Sequence, residues 1–117
     1  MKDANYPWFI LVPDRESVTE IHQLPAEDQW QLMRESVLLS EALVRAFTPD
    51  KLNIAALGNV VPQLHLHHIV RYRHDPAWPA PVWGRVAASE YQYDCLNGVI
   101  AKLRYVLGAE SEFQPVQ

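Results

Sequence analysis

Apolar and polar positions change period several times along this chain, and each change marks an element. Tyr6-Pro7-Trp8-Phe9-Ile10-Leu11-Val12-Pro13 is a continuous apolar run closed by prolines, which predicts a short strand buried on both faces. From Ser17 to Leu24 the pattern suits a short helix, with Ser17 as N-cap and Glu20 as its capping-box partner. A second helix starts at Leu24-Pro25-Ala26-Glu27-Asp28, where Pro fits the first turn and the acids oppose the positive end of the dipole. It runs to Phe47. Leu32, Ser36, Leu39, Leu43 and Ala46 form one stripe, and Trp30, Met33, Val37, Val44 and Phe47 widen it into a face suited to a sheet or an interface.

After Thr48-Pro49-Asp50, the residues from Leu52 to Leu57 read as a strand, Gly58-Asn59 as a turn and Val61 to Tyr72 as a second strand, an antiparallel hairpin. From Arg73 to Gly84 prolines and tryptophans crowd together and fit neither helix nor strand. An ordered extended loop is expected there, because two Trp side chains are rarely left in water. Ser89 caps a last helix whose buried stripe is Leu96, Val99, Ile100, Leu103 and Val106 or Leu107, with Gly108 as its C-terminal cap. Residues 1–5 and 109–117 are expected as loose tails. The sum is an α+β fold, an antiparallel sheet with helices packed on it, in a single domain over residues 1–117.

Charge narrows the function classes. Ten basic residues against fourteen acidic give a net charge of -4, and no Lys/Arg cluster forms a phosphate-backbone footprint, so long nucleic acid is not an expected partner. The longest apolar run, Pro7 to Pro13, is too short to cross a bilayer, and the start lacks a signal-peptide pattern; no membrane partner and a cytoplasmic location are expected. Cys95 stands alone, which excludes an internal disulfide and a Cys-based zinc cluster, and it reads as a small buried hydrophobe of the last helix.

Candidate chemistry concentrates in Val61-Pro62-Gln63-Leu64-His65-Leu66-His67-His68-Ile69-Val70. On a strand, Gln63, His65, His67 and Ile69 share one face, and Leu64, Leu66, His68 and Val70 the other. Three readings compete: a bland polar face, a metal site, and nucleophilic catalysis by imidazole at phosphorus. Metal is short of ligands, since zinc wants three or four and only His68, His74 and Asp75 lie near His65 and His67. For catalysis a neutral His65 must keep a lone pair on the attacking nitrogen, a tautomer that a backbone carbonyl can fix. Gln63 and His67 flank it at about 7 Å along the strand, within reach of phosphate oxygens. Gly58 and Asn59 serve either as plain hairpin residues or as donors to an anion. His68, on the apolar face, reads as a satisfied core histidine. Arg71 and Arg73 are either solvated strand-end charges or steer an anion; His22 and His74 read as solvated. Trp78 and Trp83 read as packing over the sheet or across a dimer interface rather than stacking on a base.

Gly58-Asn59-Val60-Val61-Pro62-Gln63-Leu64-His65-Leu66-His67-His68-Ile69-Val70 closely resembles the signature of the histidine triad (HIT) family, His-φ-His-φ-His-φ-φ after a Gly-Gln-Ser/Thr-Val segment, φ being apolar. It also resembles a bacterial subgroup with a Gln-x-His-x-His variant of that motif. That subgroup reads Pro-Trp-φ-φ-Leu-Val-Pro near the start, Leu-Asn-φ-Ala-Ala-Leu-Gly-Asn-Val-Val-Pro-Gln-φ-His-φ-His in the middle and Trp-Pro-x-Pro-Val-Trp-Gly later. The matching segments here are Pro7 to Pro13, Leu52 to His67 and Trp78 to Gly84.

The resemblance implies a HIT-like α+β fold, a homodimer, and a nucleotide or other phosphorylated small molecule as ligand. It further implies a nucleotidyl hydrolase or transferase acting on a nucleoside phosphate or dinucleoside polyphosphate through a covalent nucleotidyl-histidine, with no cofactor and no metal. By resemblance His65 is the nucleophile, His67 lies beside the phosphate, Gln63 takes the place of the first histidine, and Asn53 lies near ribose or phosphate, a structural hydrogen bond being its other reading. Departures from the family pattern are Gln63 itself, a shortened loop between Asn53 and Gln63, Val60 where a phosphate-binding Ser or Thr is usual, and His68 in place of a hydrophobe. Only six residues precede Pro7, so the nucleoside pocket is expected to be incomplete, completed by a partner subunit or trimmed. The alternatives are a non-catalytic nucleotide-binding or sensor domain that has lost turnover with the first histidine, and an oligomer scaffold without a ligand.

Overall fold

The structure, a computed structural model, describes residues 1–108 and Phe113. Its elements run β1 (Trp8–Leu11), a 3-10 turn (Ile21–Gln23), α1 (Ala26–Phe47), β2 (Lys51–Ala55), β3 (Leu66–Arg71) and α2 (Cys95–Leu107). The strands form one antiparallel sheet in the order β1-β3-β2, with the histidine-bearing strand at its centre.

Register sorts the side chains onto two faces, because directly opposed residues of an antiparallel pair point the same way. Trp8 opposite Ile69 and Ile10 opposite His67 lie on one face, with Asn53 and Ala55 of β2. Phe9, Leu11, Leu52, Ile54, Leu66, His68 and Val70 lie on the other. Helices cover that second face. Leu32, Leu39, Ala42 and Leu43 of α1 and Leu103 of α2 close a core with Leu11, Leu24, Leu64, Leu66 and Val70. Across the sheet, Tyr6, Trp8 and Ile69 pack with Ala77, Val82 and Trp83 of the loop from Arg73 to Gly84. That loop packs over the sheet as expected but is a run of tight turns rather than an extended segment, with Trp78 N–H and Ala80 N–H donating to the Asp75 and Ala77 carbonyls, and it makes the third layer.

Several boundaries differ from the sequence pattern for physical reasons. β1 is an edge strand, not a strand buried on both faces, and Ile10 is 38% exposed. Ser17 takes φ 60°, a left-handed conformation that no helix interior accepts, so the expected Ser17–Leu24 helix shrinks to Ile21–Gln23 behind Glu20. β2 and β3 are shorter than expected because β1 ends before Pro13 and β2 ends at Ala55, whose partner is His67; residues 61–65 have no strand to pair with. Ser89 does not cap α2. Its N–H donates to Asp3 Oδ1 and its carbonyl accepts from Ala4 N–H, Tyr93 sits at φ 50°, and the helix starts after Asp94. Cys95 is consequently exposed rather than buried.

Gly108 at φ 75° caps α2 as expected, its N–H donating to the Arg104 carbonyl. The first five residues carry hydrogen bonds to Trp8, Ala87 and Ser89. Of the expected C-terminal tail, residues 109–112 and 114–117 lie outside the described ones, and Phe113 packs against the helix-side core.

Candidate functional site

Only one of the two row histidines lies on the strand. His67 sits in β3, while His65 and Gln63 belong to the loop of residues 56–65 that joins β2 to β3. The alternating row of the sequence pattern is therefore not a strand face, although its two imidazoles still meet. The rings of His65 and His67 pack edge to face with centroids 4.9 Å apart.

Two hydrogen bonds hold the loop in place. Leu64 N–H donates to the Val18 carbonyl at 2.7 Å, and Gln63 Nε2 donates to the Arg15 carbonyl at 3.0 Å. Arg15 and Val18, just before and inside the segment expected as the Ser17–Leu24 helix, spend their carbonyls here. Gln63 thus braces the loop with its side-chain amide instead of standing in line with the imidazoles.

His65 Nδ1 lies 2.6 Å from the Gln63 carbonyl. A carbonyl only accepts, so Nδ1 carries the proton and Nε2 keeps its lone pair. His67 takes the opposite tautomer. Its Nδ1 accepts from the Trp8 indole N–H at 2.9 Å, which leaves the proton of the neutral ring on Nε2. His67 is buried, and burial, followed by the nearby His65, the Met1 amino group and His68, pushes its pKa down. The site therefore offers one imidazole lone pair and one imidazole N–H side by side.

Aromatic rings wall this pair. Trp83 lies 5.1 Å from the His67 ring and 5.5 Å from Trp8, both edge to face. Trp78 sits beside Arg71 instead, its ring centroid 5.6 Å from the guanidinium carbon. Both tryptophans pack over the sheet.

The remaining sequence candidates have other occupations. Asn53 Oδ1 accepts from Arg71 Nη1 at 2.7 Å, the structural of its two readings. Arg71 is neither solvated nor available to steer an anion: it is 1% exposed, ion-paired to Asp75 at 2.7 Å, and donates also to the Ala80 carbonyl. Arg73 and His22 are exposed, and so is His74, which stacks on Tyr72. His68 is a satisfied core histidine, with Nε2 2.7 Å from Ser36 Oγ. Gly58, at φ 89°, and exposed Asn59 lie in the 56–65 loop; a Cβ at Gly58 would meet the Val61 carbonyl at 3.3 Å, so the turn there depends on glycine. Among the described residues no three His, Cys, Asp or Glu side chains group as a metal site. The sequence reading missed Trp8 as a partner of His67; its signal was an indole at the start of a strand, whose N–H needs an acceptor once buried.

A family model described as HIT domain matches residues 1–74. Among solved structures the chain is similar to a histidine triad protein from Bradyrhizobium japonicum, at 47% identity over 92% of this chain and 81% of that one, with a TM-score of 0.88. It is similar to a histidine triad protein from Marinobacter aquaeolei VT8 at 52% identity, over 92% and 78% of the two chains, with a TM-score of 0.85. A third, a histidine triad protein from Sinorhizobium meliloti 1021, is 41% identical over 88% and 76%, with a TM-score of 0.84. No curated protein matches the chain.

Proposed function

The chain belongs to the histidine triad family, which usually includes nucleotide hydrolases and transferases, and on that premise we propose that it is a nucleotidyl hydrolase or transferase with His65 as nucleophile. The substrate is a nucleoside phosphate or dinucleoside polyphosphate. His65 Nε2 attacks the α-phosphorus, a P–N bond forms, and the P–O bond to the leaving group breaks with its electron pair departing on that oxygen. Water then attacks the same phosphorus and gives up a proton to solvent, the P–N bond breaks, and the pair returns to Nε2.

One observation carries this reading: the 2.6 Å bond from His65 Nδ1 to the Gln63 carbonyl, which frees Nε2 for attack and spreads the charge that the ring gains when Nε2 is phosphorylated. His67 Nε2–H donates to a non-bridging oxygen, and backbone N–H groups at Gly58 and Asn59 are the further donors to the phosphate. The protein works as a cytoplasmic homodimer, as members of the family often dimerise.

Turnover of a fluorogenic adenylyl substrate tests the assignment. His65→Ala should lower the rate by at least roughly a hundredfold, and His67→Ala by about 10²–10⁴-fold. Equal rates for the parent protein and His65→Ala would sink it. Thermal stabilisation by nucleoside monophosphates with no product formed favours the binding-domain alternative.

A further inference from the structure

His67 has an indole for a partner where a catalytic imidazole more often has a carboxylate, carbonyl or water. Trp8 reaches it because β1 pairs with β3 so that Ile10 opposes His67 and Trp8 opposes Ile69, which puts the indole on the site face, diagonal to the imidazole. The bond of 2.9 Å is buried, and an indole N–H only donates. A proton placed on His67 Nδ1 would set two N–H groups against each other. The indole is itself held, edge to face, by Tyr6 at 6.3 Å and Trp83 at 5.5 Å, and Trp83 closes the next side of His67.

We propose that Trp8 is a positioning residue, whose indole N–H fixes His67 as the tautomer that accepts at Nδ1 and donates from Nε2. Its consequence for turnover rests on the phosphoryl-transfer reading above; the tautomer does not. A phosphoryl oxygen is an acceptor, and the reversed tautomer of His67 would turn a lone pair toward it. Fixing the proton on Nε2 keeps a donor beside the nucleophile without a charged ring. Burial of the ring opposes a further proton in the same way, followed by His65 from the loop and the Met1 amino group.

Trp8→Phe removes the N–H and keeps an aromatic ring. Long-range proton–nitrogen NMR of imidazole-labelled protein should show His67 in the parent with an unprotonated Nδ1 and a protonated Nε2 at neutral pH. In Trp8→Phe the two tautomers should mix and the His67 titration midpoint should rise. Under turnover, Trp8→Phe should lower kcat/KM, and it should add little in a His67→Gln background. A protonated Nδ1 in the parent protein overturns the proposal, as do an unchanged tautomer and midpoint in Trp8→Phe. Should that variant fail to fold, the parent spectrum decides alone. An unprotonated Nδ1 in a protein that turns over no adenylyl substrate upholds the role of Trp8 and overturns the phosphoryl-transfer reading instead.

Discussion

His68 is an imidazole that the fold requires uncharged. It is fully buried between β3 and α1, with Nδ1 3.3 Å from the Leu66 carbonyl and Nε2 facing the Ser36 hydroxyl. Nδ1–H therefore donates and Nε2 accepts from Ser36. Burial pushes its pKa down, against a smaller upward push from the Leu66 carbonyl, and His67 beside it is lowered as well, by burial first. In the unfolded chain both titrate near about 6.5. As pH falls through that value the unfolded state takes up protons that the folded state refuses, so stability is whole above it and declines below it. Urea midpoints should drop between about pH 7 and pH 5, and His68→Gln should flatten that drop; an equally steep drop in the variant removes His68 as a source. This residue was legible in advance, because strand alternation alone sets it among apolar neighbours. Arg71 was not. Its burial depends on Asp75 across a turn and on a loop folding back over the sheet, and no local pattern encodes either.

At the scale of elements, the end of β3 and the loop after it behave as one unit tied by charge. Arg71 and Asp75 pair with side chains 2% and 3% exposed, and the carboxylate also accepts from the backbone N–H groups of Tyr72, Ala77 and Trp78. Burial alone would raise the Asp75 pKa, but the Arg71 hydrogen bond and the backbone donors outweigh it and hold it low. Cutting one partner from such a pair strands the other charge. Asp75→Ala should cost about 3–5 kcal/mol in denaturant unfolding, with loosening of the loop that carries Trp83. Arg15→Ala, which opens the exposed pair of Arg15 with Asp28, should leave the midpoint nearly unchanged. Helix α1 and the hairpin of β2 and β3 were readable from periodicity, since their stripes are long and their breakers clear. Strand ends were less so: where β3 starts depends on where its partners stop, and where α2 starts depends on a contact between residues 3–4 and Ser89. Gln63, His65 and His67 were grouped by strand alternation as well as by motif; the two imidazoles do meet, but His65 lies off the strand and the Gln63 amide turns to the Arg15 carbonyl.

For the whole molecule, the outer flank of α1 is an apolar surface that a single chain leaves exposed. Its inner stripe packs on the sheet as expected, yet Trp30 is 75% exposed and Met33 65%, and Val37 and Val44 continue that flank along the helix. Large apolar side chains at this spacing form a continuous patch, and such patches mark interfaces. A second copy of the chain is the occupant we expect, in keeping with the homodimer proposed above. Sedimentation should find a dimer for the parent protein and a monomer for Val37→Glu, with folded spectra in both; a monomeric parent at micromolar concentration removes the proposal. Kinetics of the monomeric variant then separate two roles for the partner. The tautomers of His65 and His67 are set within one chain, by the Gln63 carbonyl and the Trp8 indole, so breaking the dimer should leave kcat close to the parent value. A partner that contributes to substrate binding alone would raise KM for an adenylyl substrate in the monomeric variant. A fall in kcat with KM unchanged would instead place the partner's contribution at the reacting phosphate.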